Sequence, residues 1–222
     1  ADIVQKEMER VGFDSVFRDA AGNVVGMING RNTAPAVLFS SHMDAVPADN
    51  STGWLNDPFS AEIKNGMMYG RGACDCKSGI AAQVYCGALL KRSMLPFEGS
   101  VVVAATVAEQ NGLALGTRHL IAETLPSRNI KPVLAVLGEP TNLGLYYGHD
   151  GWMEMDVTVE SGSLFGLTDA AGAVSEEIRN GLSNESAGDY SVTDPEYRDE
   201  RNAIIRLRKR LGSSDDVVTI IL

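Results

Sequence analysis

The feature that most constrains this chain is a near-continuous apolar run, Ala34 to Ser40 (APAVLFS), which ends directly on Ser41-His42-Met43-Asp44. A short run that is apolar at successive positions fits a strand covered on both faces, as inside a parallel sheet. Ser100 to Val107 and Pro132 to Leu137 repeat the pattern, and helix-like segments at Ile3 to Val11, Lys77 to Lys91 and Leu115 to Leu125 alternate with them. Ser15 to Phe17 and Asn23 to Ile28 read as strands around Ala20-Ala21-Gly22, and Asn65-Gly66 reads as a hairpin turn between AEIK and MMYG. Residues 45–59, with Pro47, Gly53 and Pro58, read as a loop. The alternation predicts an α/β, three-layer domain with a largely parallel sheet.

The pattern changes after Gly151. MEMDVTVE alternates apolar and polar positions as a half-exposed strand does, Ala173 to Leu182 fits a helix, and Ser183 to Arg201 reads as loop. The tail NAIIRLRKRLGSSDDVVTIIL reads as a basic helix, a stop at Gly212 and a final β-branched strand. This divides the chain into a domain over 1–151 and a second segment, 152–222, expected to be the start of an α+β lid or a divergent tail.

The net charge of −10 counts against a nucleic-acid partner, because phosphate binding needs a basic surface. No apolar run is long enough to span a bilayer, and Ala1 to Arg10 reads as an amphipathic helix and not as a leader. Three cysteines, two of them in Cys74-Asp75-Cys76, make no disulfide framework and fit reduced thiols. A soluble, cytoplasmic protein with no membrane partner is expected, and the absence of a Met before the first helix suggests a partial chain.

Four motifs carry chemistry. His42 follows an apolar strand, at the carboxyl edge where open α/β sheets bind ligands. In extended geometry Asp44 lies on the same side and can accept the other imidazole N–H; alone, His-x-Asp is more often a solvated loop pair. Asp75 lies among the glycines of GRGACDCKSG, at the amino end of the next helix, where an N-cap is the plain alternative. Cys74 and Cys76 make a weak thiolate site, with only Cys86 left to join them, and read better as small packing residues. Glu109 and Glu139 follow the next two apolar strands. Each alone reads as a loop acid. The convergence of His42, Asp75, Glu109 and Glu139 on one sheet edge supplies the imidazole and carboxylate donors that suit Zn²⁺.

SHMDAVP, WLNDPFSAEIKNGMMYGRGACDCKSGIAA, VAEQNGLALGTRHLI and LGEPTN, followed by YGHDGWMEMDVTVE, resemble the zinc amidohydrolases. That family includes acetylornithine deacetylase, succinyl-diaminopimelate desuccinylase, aminoacylase, carboxypeptidases and dipeptidases. The resemblance runs in unbroken order from about Ala1 to Glu160. It implies a catalytic domain with two metal ions bridged by a carboxylate. The ions are Zn²⁺, with Co²⁺ or Mn²⁺ as alternatives, and the reaction is hydrolysis of the amide bond of an N-acyl amino acid or small peptide. Carried over by motif, Asp75 is the bridging ligand, His42 and Glu139 are the terminal ligands of one ion, Glu109 is the general base and Asp44 the partner of His42. A homodimer through the lid is also implied.

The chain departs from that family at three places. Gln110 stands where a second acid binds the other ion, and a neutral amide oxygen is a poor zinc ligand. Neither His119 nor His149 matches the family's last histidine ligand. In Ser161-Gly162-Ser163-Leu164-Phe165, Ser163 matches the lid motif, but Phe165 stands where its histidine belongs. At most one tightly bound ion is expected. A truncated or decayed chain that binds one metal, or only folds, is the competing expectation.

Overall fold

The computed structural model describes residues 1–48, 53–110, 112–148, 151–160, 163–182, 190–198 and 202–211. They fall into two compact units, Ala1–Gly144 and Leu145–Leu222.

The first unit is built on a five-stranded sheet. Helix α1 (Asp2–Val11) turns its apolar stripe inward through Met8 and Val11. Strands β1 (Ser15–Arg18) and β2 (Val24–Asn29) form an antiparallel hairpin. Strand β3 (Ala36–His42) ends on the histidine. A separate hairpin, β4 (Glu62–Lys64) and β5 (Met67–Tyr69), turns at Asn65 and Gly66, both with positive φ as a tight two-residue turn requires. Helix α2 (Ser78–Ser93) leads to β6 (Ser100–Thr106). Helix α3 (Leu115–His119) continues through a wide turn (Leu120–Thr124) into the short α4 (Leu125–Ser127), and β7 (Pro132–Leu137) follows.

The sheet order is β1-β2-β6-β3-β7. The three strands whose ends carry His42, Glu109 and Glu139 are its parallel part: β3 pairs with β6 on one side and β7 on the other. Strands β1 and β2 add an antiparallel flank, so the sheet is mixed where a largely parallel one was expected. The short β1–β2 connection allows only an antiparallel return.

Side chains alternate across the sheet and give two cores. Met8, Val11, Ile80, Val84 and Ala88 pack with Val24, Ile28, Val103 and Ala105 on one face; Leu120 and Leu125 pack with Val25, Leu38, Val102 and Ala104 on the other. The result is three layers, helix, sheet and helix. Strand β7 is an edge among the described residues, and Val133, Leu134, Val136 and Leu137 on it are exposed.

The second unit lays one helix on a four-stranded sheet. Strand β8 (Gly151–Glu160) pairs antiparallel with β11 (Asn202–Leu211), which also pairs with β9 (Tyr190–Val192) and β10 (Glu196–Tyr197). Helix α5 (Leu164–Leu182) sets Leu167, Ala171 and Ile178 against Val159, Ala203 and Ile205. Two expectations are corrected here. Residues 202–211 form a strand and not a basic helix: Ile-Arg-Leu-Arg alternates with period two, and Ala203 and Ile205, one pleat apart, are fully buried. The stretch expected as loop contains β9 and β10. Gly212 and the β-branched strand expected after it lie outside the described residues, as do Ser161, Gly162 and His149. No described helix is long and apolar enough to cross a membrane.

Candidate metal centre

His42 is the last residue of β3 and is almost wholly buried. Its backbone N–H donates to Cys76 Sγ at 3.1 Å. Its Nδ1 lies 2.8 Å from the main-chain carbonyl oxygen of Asp44. A carbonyl only accepts, so Nδ1 carries a proton, and Nε2 is the nitrogen whose lone pair a metal can take in place of a proton. That nitrogen faces three carboxylates: Asp75 Oδ1 at 2.8 Å, Glu109 Oε2 at 3.6 Å and Glu139 Oε2 at 3.9 Å. The four residues that the sequence placed at one edge therefore meet at one atom.

Asp44 behaves otherwise than expected. Its main-chain carbonyl, and not its carboxylate, accepts from the imidazole; the nearer carboxylate oxygen is 3.7 Å from Nδ1. The carboxylate instead turns to the loop after β6, where Oδ2 accepts the N–H of Glu109 at 3.0 Å and that of Gln110 at 2.9 Å. The N–H of Met43, just beyond β3, still donates to Thr106 O at 2.7 Å.

Asp75 comes from a wide turn, Ala73–Lys77, and not from a helix cap or a strand end: its backbone is extended, and Lys77 is the residue that precedes α2. The Asp75–Cys76 peptide bond is cis. Two glycines let this turn approach the strand ends. A Cβ on Gly79 would lie 2.2 Å from the carbonyl oxygen of Gly138, and one on Gly138 would lie 2.2 Å from Ser41 Oγ. The first turn of α2 thus sits against the end of β7, and Asp75 and Glu139 come into reach of His42.

Glu109 is held from a second direction. The buried Asn23 accepts the N–H of Val107 at 3.0 Å, and its amide donates to Gly116 O at 2.9 Å and to Asp19 at 2.7 Å. This bracket fixes both ends of the loop that carries Glu109. Gln110 extends to Asp75, with Nε2 donating to Oδ2 at 3.0 Å. His119, on α3, joins no ligand group among the described residues. Phe165 falls in the first turn of α5.

The electrostatics are those of a site short of positive charge. Burial disfavours the imidazolium of His42, but the Asp44 carbonyl and the charges of Glu109, Glu139 and Asp75 outweigh it and raise the pKa. Burial raises the Glu139 pKa, and repulsion from Glu109 and Asp75 adds to it against the attraction of His42. A cation relieves both. His42, Asp75, Cys76 and Glu139 offer ligand atoms within 4.8 Å of one another, the one such group of histidine, cysteine and acidic side chains among the described residues.

Of these residues, sequence reasoning set Cys76 aside as packing and missed Asn23. Cys76, read as packing, belongs to the cluster, but burial pushes its thiol up to about 11, and its sulfur is engaged with the His42 backbone. The packing role is therefore retained. Asn23 gave no signal, because a buried bracket between distant loops leaves no local pattern. In the loop before the β4–β5 hairpin, Trp54 lies under the Arg71 guanidinium, 5.1 Å from ring centroid to Cζ.

Residues 38–197 match the family model described as peptidase family M20/M25/M40, and the chain belongs to that family. It is 33% identical over 163 residues to the uncharacterized protein YgeY of Escherichia coli, covering 73% of this chain and 39% of that protein. It is 39% identical over 105 residues to succinyl-diaminopimelate desuccinylase 2 of Ruegeria sp., covering 47% of this chain and 26% of that one. The chain spans well under half the length of these relatives. Among solved structures it resembles human carnosine dipeptidase 1, with a TM-score of 0.63 at 14% identity, over 96% of this chain and 64% of that one. It also resembles the Bacillus subtilis YXEP protein, described as a dinuclear metal binding peptidase, with a TM-score of 0.59 at 17% identity, over 96% and 58%. At these identities the likeness shows the fold, a three-layer α/β domain.

Proposed function

We propose that this chain carries the metal-binding and general-base residues of a hydrolase that cleaves the amide bond of N-acyl amino acids or small peptides. The observation that carries the proposal is the meeting of Asp75, Glu109 and Glu139 within 4 Å of His42 Nε2. One imidazole nitrogen and carboxylate oxygens are hard-to-borderline donors, so Zn²⁺ is the proposed ion, with Mn²⁺ or Co²⁺ able to replace it. His42, Asp75 and Glu139 would hold it. A divalent ion there lowers the pKa of water from about 15.7 towards about 7 and polarises a carbonyl.

Glu109 has a different part. It lies next to the proposed ligands, its backbone pinned by Asp44, and its carboxylate faces the same space. It takes a proton from the attacking water as oxygen adds to the amide carbon. It then delivers that proton to the leaving nitrogen as the C–N bond breaks. Asp44 serves both parts, fixing the tautomer of His42 through its carbonyl and the height of Glu109 through its carboxylate. Residues 1–151 are the catalytic domain in this reading, and 152–222 begin a lid through which two copies pair. The relatives named for desuccinylation and dipeptide cleavage favour small N-acylated or dipeptide substrates. A soluble, cytoplasmic setting agrees with the three free thiols.

One observation favours a second reading, in which the chain binds a metal without turnover: Gln110 and not an acid lies against Asp75. Metal analysis of the purified 222-residue chain, followed by assay on a panel of N-acyl amino acids and dipeptides, tests both. Metal with turnover supports the hydrolase. Metal without turnover supports the second reading, and a folded chain that takes up no metal sinks both.

A further inference from the structure

The site described above resembles two-ion centres in its ligand set, and the donors for a first ion are in place. Those for a second are not. Asp75 would have to offer one oxygen to each ion. Its Oδ1 faces His42 Nε2 at 2.8 Å, and its Oδ2 accepts a hydrogen bond from Gln110 Nε2 at 3.0 Å. An amide NH₂ is a donor with no lone pair to give a metal, and turned over it offers only a neutral oxygen. Gln110 is also anchored at its root, where its N–H donates to Asp44 Oδ2 at 2.9 Å. Among the described residues no second imidazole joins the ligand group.

We infer that this chain has a one-ion centre in which Gln110 is a positioning residue: its amide gives Asp75 Oδ2 the hydrogen-bond partner that replaces a second cation. The inference rests on the metal-centre reading above. Charge supports it independently of geometry. Asp75, Glu109 and Glu139 already set three carboxylates about one imidazole. A fourth acid at position 110 would be tolerable beside two dications, but beside one it would be repelled by Asp75. A neutral side chain of the same length keeps Asp75 turned towards His42 without adding charge. The substitution of an amide for an acid is thus matched to the number of ions, and is not merely the loss of a ligand.

The test is titration of the metal-free 222-residue chain with Mn²⁺, read by calorimetry and by elemental analysis after gel filtration. Mn²⁺ is chosen because the exposed thiols of Cys74 and Cys86 hold it weakly. Wild type is expected to bind one ion. Gln110→Glu is expected to bind two. Gln110→Ala is expected to bind one, with affinity lowered about 10- to 100-fold, the usual loss when a ligand's supporting hydrogen bond is removed. Circular dichroism of each variant shows that it folds. Two ions on the wild type, or a single ion on Gln110→Glu, overturn this inference and leave the metal centre standing. Unchanged affinity in Gln110→Ala overturns the positioning role. No ion on any of the three, all folded, overturns the metal-centre reading and this inference with it.

Discussion

Asp44 Oδ2 accepts the backbone N–H of Glu109 at 3.0 Å, so the residue two places after the buried histidine also sets the position of the carboxylate loop that follows the neighbouring strand. The same oxygen holds Gln110 at 2.9 Å. Removing it leaves two partly buried donors without that partner. Asp44→Ala is expected to lower stability by about 1–3 kcal/mol, the usual cost of unmade buried hydrogen bonds. Asp44→Asn retains one acceptor oxygen and should lose less. Urea unfolding midpoints measure this, and an Asn variant no better than Ala would show that the carboxylate is not the acceptor that matters.

Gly79 is where fold and site depend on one another. A Cβ there would meet the carbonyl oxygen of Gly138 at 2.2 Å, a backbone atom with nowhere to go. Gly79→Ala should therefore push the start of α2 away from the end of β7, costing about 1–3 kcal/mol as overpacking does. Because Asp75 precedes that helix and Glu139 follows Gly138, metal affinity should fall with it. Unfolding midpoints and Mn²⁺ titration together check this; a variant with unchanged affinity and lowered stability would separate the two elements.

Glu139 allows a prediction of opposite sign. Burial, with Glu109 and Asp75, raises its pKa in the fold above the ordinary value of 4.5. A raised carboxyl pKa contributes stability that is fully present below the unfolded value and is lost as pH rises through the folded one. At pH 7 the metal-free chain carries that whole disadvantage. Glu139→Gln should thus raise the melting temperature of the metal-free chain at pH 7, and the gain should shrink as pH falls below 4.5. The same variant should lose most of the metal-dependent stabilisation, which for a ligand at 100 times its Kd is about 2.7 kcal/mol. Scanning calorimetry with and without Mn²⁺ at two pH values checks it. A lower melting temperature in the metal-free variant at pH 7 would contradict the sign.

These predictions draw on both what the sequence discloses and what it hides. The apolar runs before His42 and Glu109 disclose strands covered on both faces, and the run before Glu139 discloses β7, although its side chains are exposed at the sheet edge among the described residues. With the strands come the ends, and with the ends the convergence. Asn65-Gly66 discloses its hairpin for the same local reason. Asn23 is hidden, since its bonds to Val107 and Gly116 reach residues more than 80 positions away. The carbonyl of Asp44 is hidden too, because residue type says nothing of main-chain oxygens. Residues 202–211 mislead, since a run of arginine, lysine and leucine favours a helix by propensity; the period-two alternation, together with pairing to β8 over ten residues, decides for a strand.

Glu109 is the residue whose role separates chemistry from binding. Its carboxylate is 3.6 Å from His42 Nε2, no further than that of Glu139 at 3.9 Å, but it stands outside the group whose ligand atoms lie within 4.8 Å of one another. A side chain outside that group faces the same space without being needed to hold the ion. Glu109→Gln keeps length and shape and removes only the ability to take and return a proton. Turnover on any N-acyl amino acid or dipeptide that proves a substrate should fall about 10²- to 10⁴-fold, the usual contribution of a general base. Metal content should stay within error of the wild type. The backbone bond to Asp44 does not involve the side chain, so the unfolding midpoint should move little. Elemental analysis and a kinetic assay on the same preparation decide the matter. Loss of metal in parallel with activity would make Glu109 a ligand, and retained turnover would pass the proton transfer to another group.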